Sequence, residues 1–266
     1  MVACSWRCQL DPLPHGEDHF VDCTRPASPA AATRAGGGAP CGFARMTKQK
    51  VAIALPTGVL LPGALRILAR SGVVRLSAAE LGRKLLVERP AVRVILVRPA
   101  DVAAYVDHGA ADLGIVGKDV LWESHGAHYE LADLHFGGCR LVLAVPATSK
   151  LAGRETWPPL LRVATKYPRT AASWFEAQGQ SVEVVRLHGS VELAPQVGLV
   201  DGIVDLTASG RTLRENKLRV AAVLGASTAR LIANQASLKT RTAAVQSMVA
   251  RLREAADQPS ARAAVS

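Results

Sequence analysis

Aromatic side chains are scarce in this 266-residue chain, at 4% of the sequence. A core without them has to be assembled from Val, Leu, Ile and Ala, and few rings are left on which nucleic-acid bases could stack. No apolar run approaches the ~20 residues that a membrane span needs. No apolar segment follows a basic start, so no secretory signal is expected. Cysteine is nearly absent from the body: Cys4, Cys8, Cys23 and Cys41 precede residue 46 and only Cys139 follows it. A body with one cysteine forms no internal disulfide and is expected to be cytoplasmic. Runs of Lys or Arg are missing as well, although the net charge is +10. Residues 1–45 are neutral, and residues 46–266 hold 28 basic against 18 acidic side chains. Dispersed positive charge without a basic stripe argues against a nucleic-acid partner and for a small anionic ligand such as a phosphorylated metabolite. Finally, no Ser/His/Asp or Cys/His arrangement announces a covalent nucleophile.

Residues 1–45 read as a separate object. They contain PASPAAATRAGGGAP, without apolar periodicity. Cys4, Cys8, His15, His19 and Cys23 match no strong zinc spacing. The segment has too little to bury and is expected to be a disordered extension, or an addition upstream of a natural start at Met46.

From Lys50 short apolar runs alternate with helical spacing. Strands are predicted at 51–55, 92–97, 111–117, 139–145, 162–165, 181–187, 202–206 and 229–234. One helix places Leu61, Ala64, Leu65 and Leu68 on a face and stops at Gly72. Others are predicted at 101–109, from Lys118, at 168–179, 191–199, 210–217 and 238–256, the last with Val245, Met248, Val249 and Leu252 on one face. This alternation implies an α/β fold with more than one mostly parallel sheet, and a ligand crevice at the carboxyl ends of the strands.

The stretch DLTASGRTL (205–213) has the chemistry such a crevice requires. Thr207, Ser209 and Thr212 supply hydroxyls, and Gly210 lets backbone amides approach an anion. Asp205 fits ribose hydroxyls or Mg²⁺ rather than phosphate. A capping turn accounts for the same residues equally well from this stretch alone. Ser190 ahead of Glu192 likewise reads as an N-cap with an acid in the first turn. Basic residues recur at apolar strand ends, at Arg98, Arg140 and Lys166, where solvated charge is the plain alternative.

Five segments, GAADLGIVGKDVL (109–121), FGGCRLVLAVPA (136–147), RVATKYP (162–168), GSVELAP (189–195) and GLVDGIVDLTASGRTL (198–213), resemble the ATP phosphoribosyltransferase family. The resemblance runs in order from about Lys50 to Leu252, and its last segment carries the family signature from Glu192 to Leu213. It implies two lobes like those of type II periplasmic binding proteins with the active site in the cleft between them. Residues 46–138 and 226–266 would form the first lobe and 139–225 the second, with crossings near Cys139–Val145 and Ala226–Ala233.

The implied reaction is attack of adenine N1 of ATP on C1 of 5-phosphoribosyl 1-diphosphate, with Mg²⁺ carried by the substrate and no metal held by side chains. Carried over by position, Asp205, Thr207, Ala208, Ser209, Gly210, Arg211 and Thr212 bind the phosphoribosyl group. Arg98, Arg140 and Glu192 are catalytic candidates, and Leu55, Thr57, Gly58, Arg83 and Lys166 are ATP-binding candidates. The family usually reads PKGRL after its first strand, whereas this chain has Pro56-Thr57-Gly58-Val59-Leu60, without either cation. Val200 stands where the signature expects a small residue. About ten residues follow the last helix, which resembles the short form that lacks a regulatory domain and works with a histidyl-tRNA-synthetase-like subunit in a hetero-octamer. A catalytically weakened paralogue or an anion-binding two-lobed module is the alternative.

Overall fold

A computed structural model of the chain describes residues 50–151 and 157–258. The readings of residues 1–45 and of a start at Met46 lie outside them. The chain runs β1 (Val51–Pro56), α1 (Leu61–Arg70), α2 (Ala78–Leu81), β2 (Leu86–Glu88), β3 (Val92–Val97), α3 (Val102–Asp107), β4 (Leu113–Gly117), α4 (Lys118–Glu123) and β5 (Tyr129–Asp133). It continues with β6 (Cys139–Pro146), β7 (Leu161–Thr165), α5 (Pro168–Ala177), β8 (Val182–Arg186), β9 (Gly202–Thr207), α6 (Arg211–Glu215) and β10 (Leu218–Ser227). It closes with β11 (Ala229–Ala233), α7 (Gln235–Thr240) and α8 (Thr242–Asp257).

Two sheets result. The first has the order β2-β3-β1-β4-β11-β5 and the second β10-β6-β9-β7-β8. β1 pairs in parallel with β3 and β4, and β7 pairs in parallel with β8 and β9. An unbroken apolar run makes a strand covered on both faces, and β1 is buried along its whole length. Val51, Ile53 and Leu55 pack with Ala64 and Leu68 of α1 and with Val245, Met248 and Leu252 of α8. Ala54, on the other face, packs with Val102, Ala103 and Val106 of α3. The second sheet divides in the same way: Val142, Ala164 and Ile203 face one side, and Leu141, Leu143, Val163 and Val204 face Phe175 of α5 on the other.

The chain passes from the first sheet to the second over 134–138 and returns at Thr228. The two passages are hydrogen-bonded to each other: Leu134 N–H donates to Ala229 O and Ala229 N–H donates to Phe136 O, both at 2.9 Å. Asp133 accepts the Thr228 hydroxyl at 2.9 Å across the same junction.

Several elements depart from the expectation. The helix expected at 191–199 is only a 3₁₀ turn, Val191–Leu193, followed by further turns. Ser190 is not its cap, because its backbone is left-handed (φ 47°) and its side chain makes no capping bond. The terminal helix is two helices meeting at Arg241, which leaves helical geometry (φ −121°). Its guanidinium there reaches Asp112 at 2.9 Å. Asp112 is buried and also accepts Ala52 N–H (2.7 Å) and the Ser237 hydroxyl (2.6 Å), tying the first sheet to α7. The strands β2, β5 and β10 were not expected. Each lies at the edge of its sheet.

Candidate active site

Parallel strands present their carboxyl ends along one edge of each sheet, and loops there carry the polar residues. In the second sheet that edge begins with β9. Asp205 and Thr207 sit near its end, and Arg140 at the start of β6 is the register partner of Thr207. Beyond Thr207 the chain turns on itself. Gly210 N–H donates to the Thr207 hydroxyl (3.0 Å), Arg211 N–H reaches the Ser209 hydroxyl (3.4 Å), and Arg214 donates to Ser209 O (3.1 Å). Gly210 is left-handed at φ +73°, a conformation that favours glycine because L side chains crowd the carbonyl there.

The helix that follows adds little dipole of its own, because α6 has five residues and no side-chain cap. What the loop offers is hydroxyls, the exposed small residues Ala208 and Ser209, and first-turn amides of Arg211 and Thr212 that have no partner within their own helix.

The neighbouring strand delivers the second group. Thr165 is fully buried at the end of β7. It donates to Val204 O (2.6 Å) and accepts Tyr167 N–H (2.9 Å), turning the chain so that Lys166 is exposed. Lys166 and Glu192 both lie close enough to Asp205 to act on its charge. Burial pushes the Asp205 carboxyl above the usual carboxylate range. Glu192 adds to that rise, while the Leu206 N–H (2.9 Å to Asp205 Oδ1) and the Lys166 ammonium oppose it. Asp205, Lys166, Glu192, Arg140 and the 207–212 loop, scattered over 73 residue positions, therefore meet at one edge.

The first sheet has a corresponding rim. Thr57 N–H donates to Val97 O (2.9 Å), which seats the 57–60 loop beside Arg98. β2 runs antiparallel to β3, with Leu86 opposite Ile95 and Leu96 N–H bonded to Leu85 O. Arg83 and Lys84, just ahead of β2, thus fall at the same rim, and both are exposed. Gly58 is left-handed (φ +79°); of the two positions without cations, Val59 is 93% exposed and Thr57 is half-buried. The ATP-binding candidate Leu55 is fully buried in the core of the first lobe.

Residues that the sequence reading passed over join the two lobes. Asp119, in α4, is buried and receives the Ser227 hydroxyl (2.7 Å) and the Tyr167 hydroxyl (3.1 Å). Burial raises the Tyr167 phenol pKa, and the charge of Asp119 raises it further. The available signal was two acids, Asp119 and Glu123, four apart on one short helix.

The family model described as ATP phosphoribosyltransferase matches residues 98–254, more than half of the chain. The chain belongs to the ATP phosphoribosyltransferase family. An ATP phosphoribosyltransferase of Caldanaerobacter subterraneus subsp. tengcongensis is 45% identical over 206 residues, 77% of this chain and 96% of that one. That of Rubrobacter xylanophilus is 48% identical over 200 residues, 74% and 93% of the two chains. Among solved structures, the ATP phosphoribosyl transferase (HisG:HisZ) complex from Thermotoga maritima matches at a TM-score of 0.66 and 34% identity, covering 79% of this chain and all of that one. The periplasmic aliphatic sulphonate binding protein of Escherichia coli matches at a TM-score of 0.50 and 17% identity, over 78% of this chain and 72% of that one, which bears on the fold alone. The fold of this family member is thus the two-lobed α/β arrangement that its sequence implied.

Proposed function

We propose that the chain joins N1 of the adenine ring of ATP to C1 of 5-phosphoribosyl 1-diphosphate and releases diphosphate, the first step of histidine biosynthesis. The observation that carries this reading is the convergence of Asp205, Lys166, Glu192 and the 207–212 loop at one sheet edge in a member of this enzyme family. Asp205 holds the ribose hydroxyls. The hydroxyls of Thr207, Ser209 and Thr212, with the amides about Gly210, hold the 5′-phosphate. Arg140 lies beside Thr207 in register and faces the same phosphates. Arg98 and Arg83, on the rim of the first sheet, and Lys166 on the second draw the ATP and diphosphate oxygens. Glu192 makes a polar contact with adenine or ribose. A transition state with oxocarbenium character needs orientation and charge placement rather than a protein nucleophile.

Mg²⁺ enters with the diphosphate, whose charge it neutralises as it leaves. Among the described residues no group of three or more His, Cys, Asp or Glu gathers as a metal site. We assign the chain to the cytoplasm. No described helix is long and apolar enough to cross a membrane. A histidyl-tRNA-synthetase-like subunit is the proposed partner, in a hetero-octamer; the HisG:HisZ pairing of the Thermotoga maritima complex supports the existence of a partner subunit.

The test is formation of phosphoribosyl-ATP by the purified chain, alone and with the partner subunit. Turnover that depends on both substrates is expected. Tight binding of 5-phosphoribosyl 1-diphosphate without turnover, even with the partner, would leave an anion-binding module or a weakened paralogue.

A further inference from the structure

The contacts between α4 of the first lobe and the start of α5 in the second lobe are reciprocal. The 167–170 turn has no side-chain cap of its own. Its free amides are taken by Glu123 of α4: Thr170 N–H donates to Glu123 Oε1 (2.7 Å) and Arg169 N–H to Oε2 (3.3 Å). The Thr170 hydroxyl donates to the same Oε1 at 2.5 Å. In return the Arg169 guanidinium donates to Trp122 O (2.5 Å) and Ser124 O (3.1 Å), the carbonyls at the end of α4. Each helix end is satisfied by a side chain of the other lobe.

One turn earlier, Asp119 projects from the same face of α4 to take the Tyr167 hydroxyl at 3.1 Å. It is fixed from the hinge side by Ser227, whose hydroxyl donates to Asp119 Oδ1 (2.7 Å) and accepts Asp119 N–H (3.0 Å). Gly117 makes room for this carboxylate, since a Cβ there would stand 2.2 Å from Asp119 Oδ1. Trp122, between the two acids, packs into the apolar cluster of the second lobe and against Gly225 of β10.

We infer that α4 is an acidic clasp: Asp119 through Tyr167, and Glu123 through the first amides of α5, fix how far the phosphoribosyl loop stands from the opposite rim. Tyr167 is then a positioning residue. It follows Lys166 directly in sequence, and its charge environment includes Asp205, so freeing its hydroxyl loosens the wall that carries both groups. The consequence for turnover rests on the proposed phosphoribosyl transfer; the clasp itself does not.

Two arms test it on the full chain with its partner subunit. In the first, amide hydrogen exchange is compared between wild type and Tyr167→Phe. Faster exchange in both 118–123 and 168–172 is expected, and unchanged exchange in either segment overturns the clasp. In the second, Tyr167→Phe should lower kcat about tenfold while the Kd for 5-phosphoribosyl 1-diphosphate stays within about twofold, because the contacts to its ribose and 5′-phosphate lie within the second lobe whereas alignment with ATP needs both. Asp119→Asn should lower kcat similarly, and the double variant should be no worse than either single one. A kcat within about twofold of wild type, or additive losses, overturns the positioning role. A wild-type chain without turnover whose exchange still responds to Tyr167→Phe overturns the functional reading and upholds the clasp.

Discussion

Asp205→Asn separates what the site does for the fold from what it does for the substrate. The side chain keeps its size, and Asn Oδ1 can still accept the Leu206 N–H that Asp205 accepts at 2.9 Å. Only the charge is lost. Hydrogen bonds to an ionised group are roughly twice as strong as neutral ones, so weakening two bonds to a ribose diol removes about 2 kcal/mol. That corresponds to about a 30-fold fall in kcat/KM for 5-phosphoribosyl 1-diphosphate.

Stability moves the other way. Burial, reinforced by Glu192, raises the Asp205 pKa above its unfolded value. The folded state therefore holds that proton more tightly, and the stability this supplies is complete below the ordinary carboxylate pKa and lost as pH rises through the raised value. At neutral pH the carboxylate costs the fold something that Asn does not. Tm at pH 7 should be equal to or above that of wild type, and the gap should close as pH is lowered toward 4. Steady-state kinetics and thermal melts at the two pH values measure both effects. Activity within about threefold of wild type, or a Tm several degrees lower at pH 7, would refute the reasoning.

Gly210→Ala should raise KM for 5-phosphoribosyl 1-diphosphate several-fold, since a left-handed non-glycine residue costs ~1–2 kcal/mol. The added Cβ would also stand 3.1 Å from the Arg214 guanidinium that pins Ser209, so the loop relaxes away from its present shape. Asp112→Ala leaves the Ala52 amide, the Ser237 hydroxyl and Arg241 without their common acceptor. Breaking such a pair costs about 3–5 kcal/mol, and Tm should fall by about 10 °C with little change in the KM of the remaining folded enzyme. Thr57→Lys with Val59→Arg should raise kcat/KM about tenfold, the worth of roughly one charge-assisted bond to a phosphate once repulsion from the nearby cations is allowed for. An unchanged rate would show that Arg83, Lys84 and Arg98 already supply that charge.

The interior of the fold was legible in the sequence because its strands are buried on both faces and therefore read as unbroken apolar runs, as in VAIAL and VRVILV. The strands that escaped notice are edges. YELAD in β5 is polar, and part of what holds it is Arg230, which bridges Glu130 and Asp133. β10 is apolar, but two register shifts, at Val220/Ala222 and Val223/Gly225, destroy its alternation. The 207–212 loop was legible because its chemistry is local. Glu192 reached the site without the helix expected to carry it. The Asp119–Tyr167 contact was invisible for the opposite reason: its partners are 48 residues apart, and each looks ordinary where it stands.

The two lobes divide the charge unequally. The second lobe brings Asp205 and Glu192 to its edge together with Lys166 and Arg140, whereas the rim of the first carries Arg83, Lys84 and Arg98. A polyphosphate entering between the two changes that charge balance. The clasp stands apart from it. Glu123 grips backbone amides and Thr170, and Asp119 grips two hydroxyls, so these bonds use no group assigned to the substrate. A lobe separation set by α4 is therefore present before substrate arrives. Binding energy from the phosphates then need not close the cleft and is left for the transition state, where it raises kcat rather than merely lowering KM.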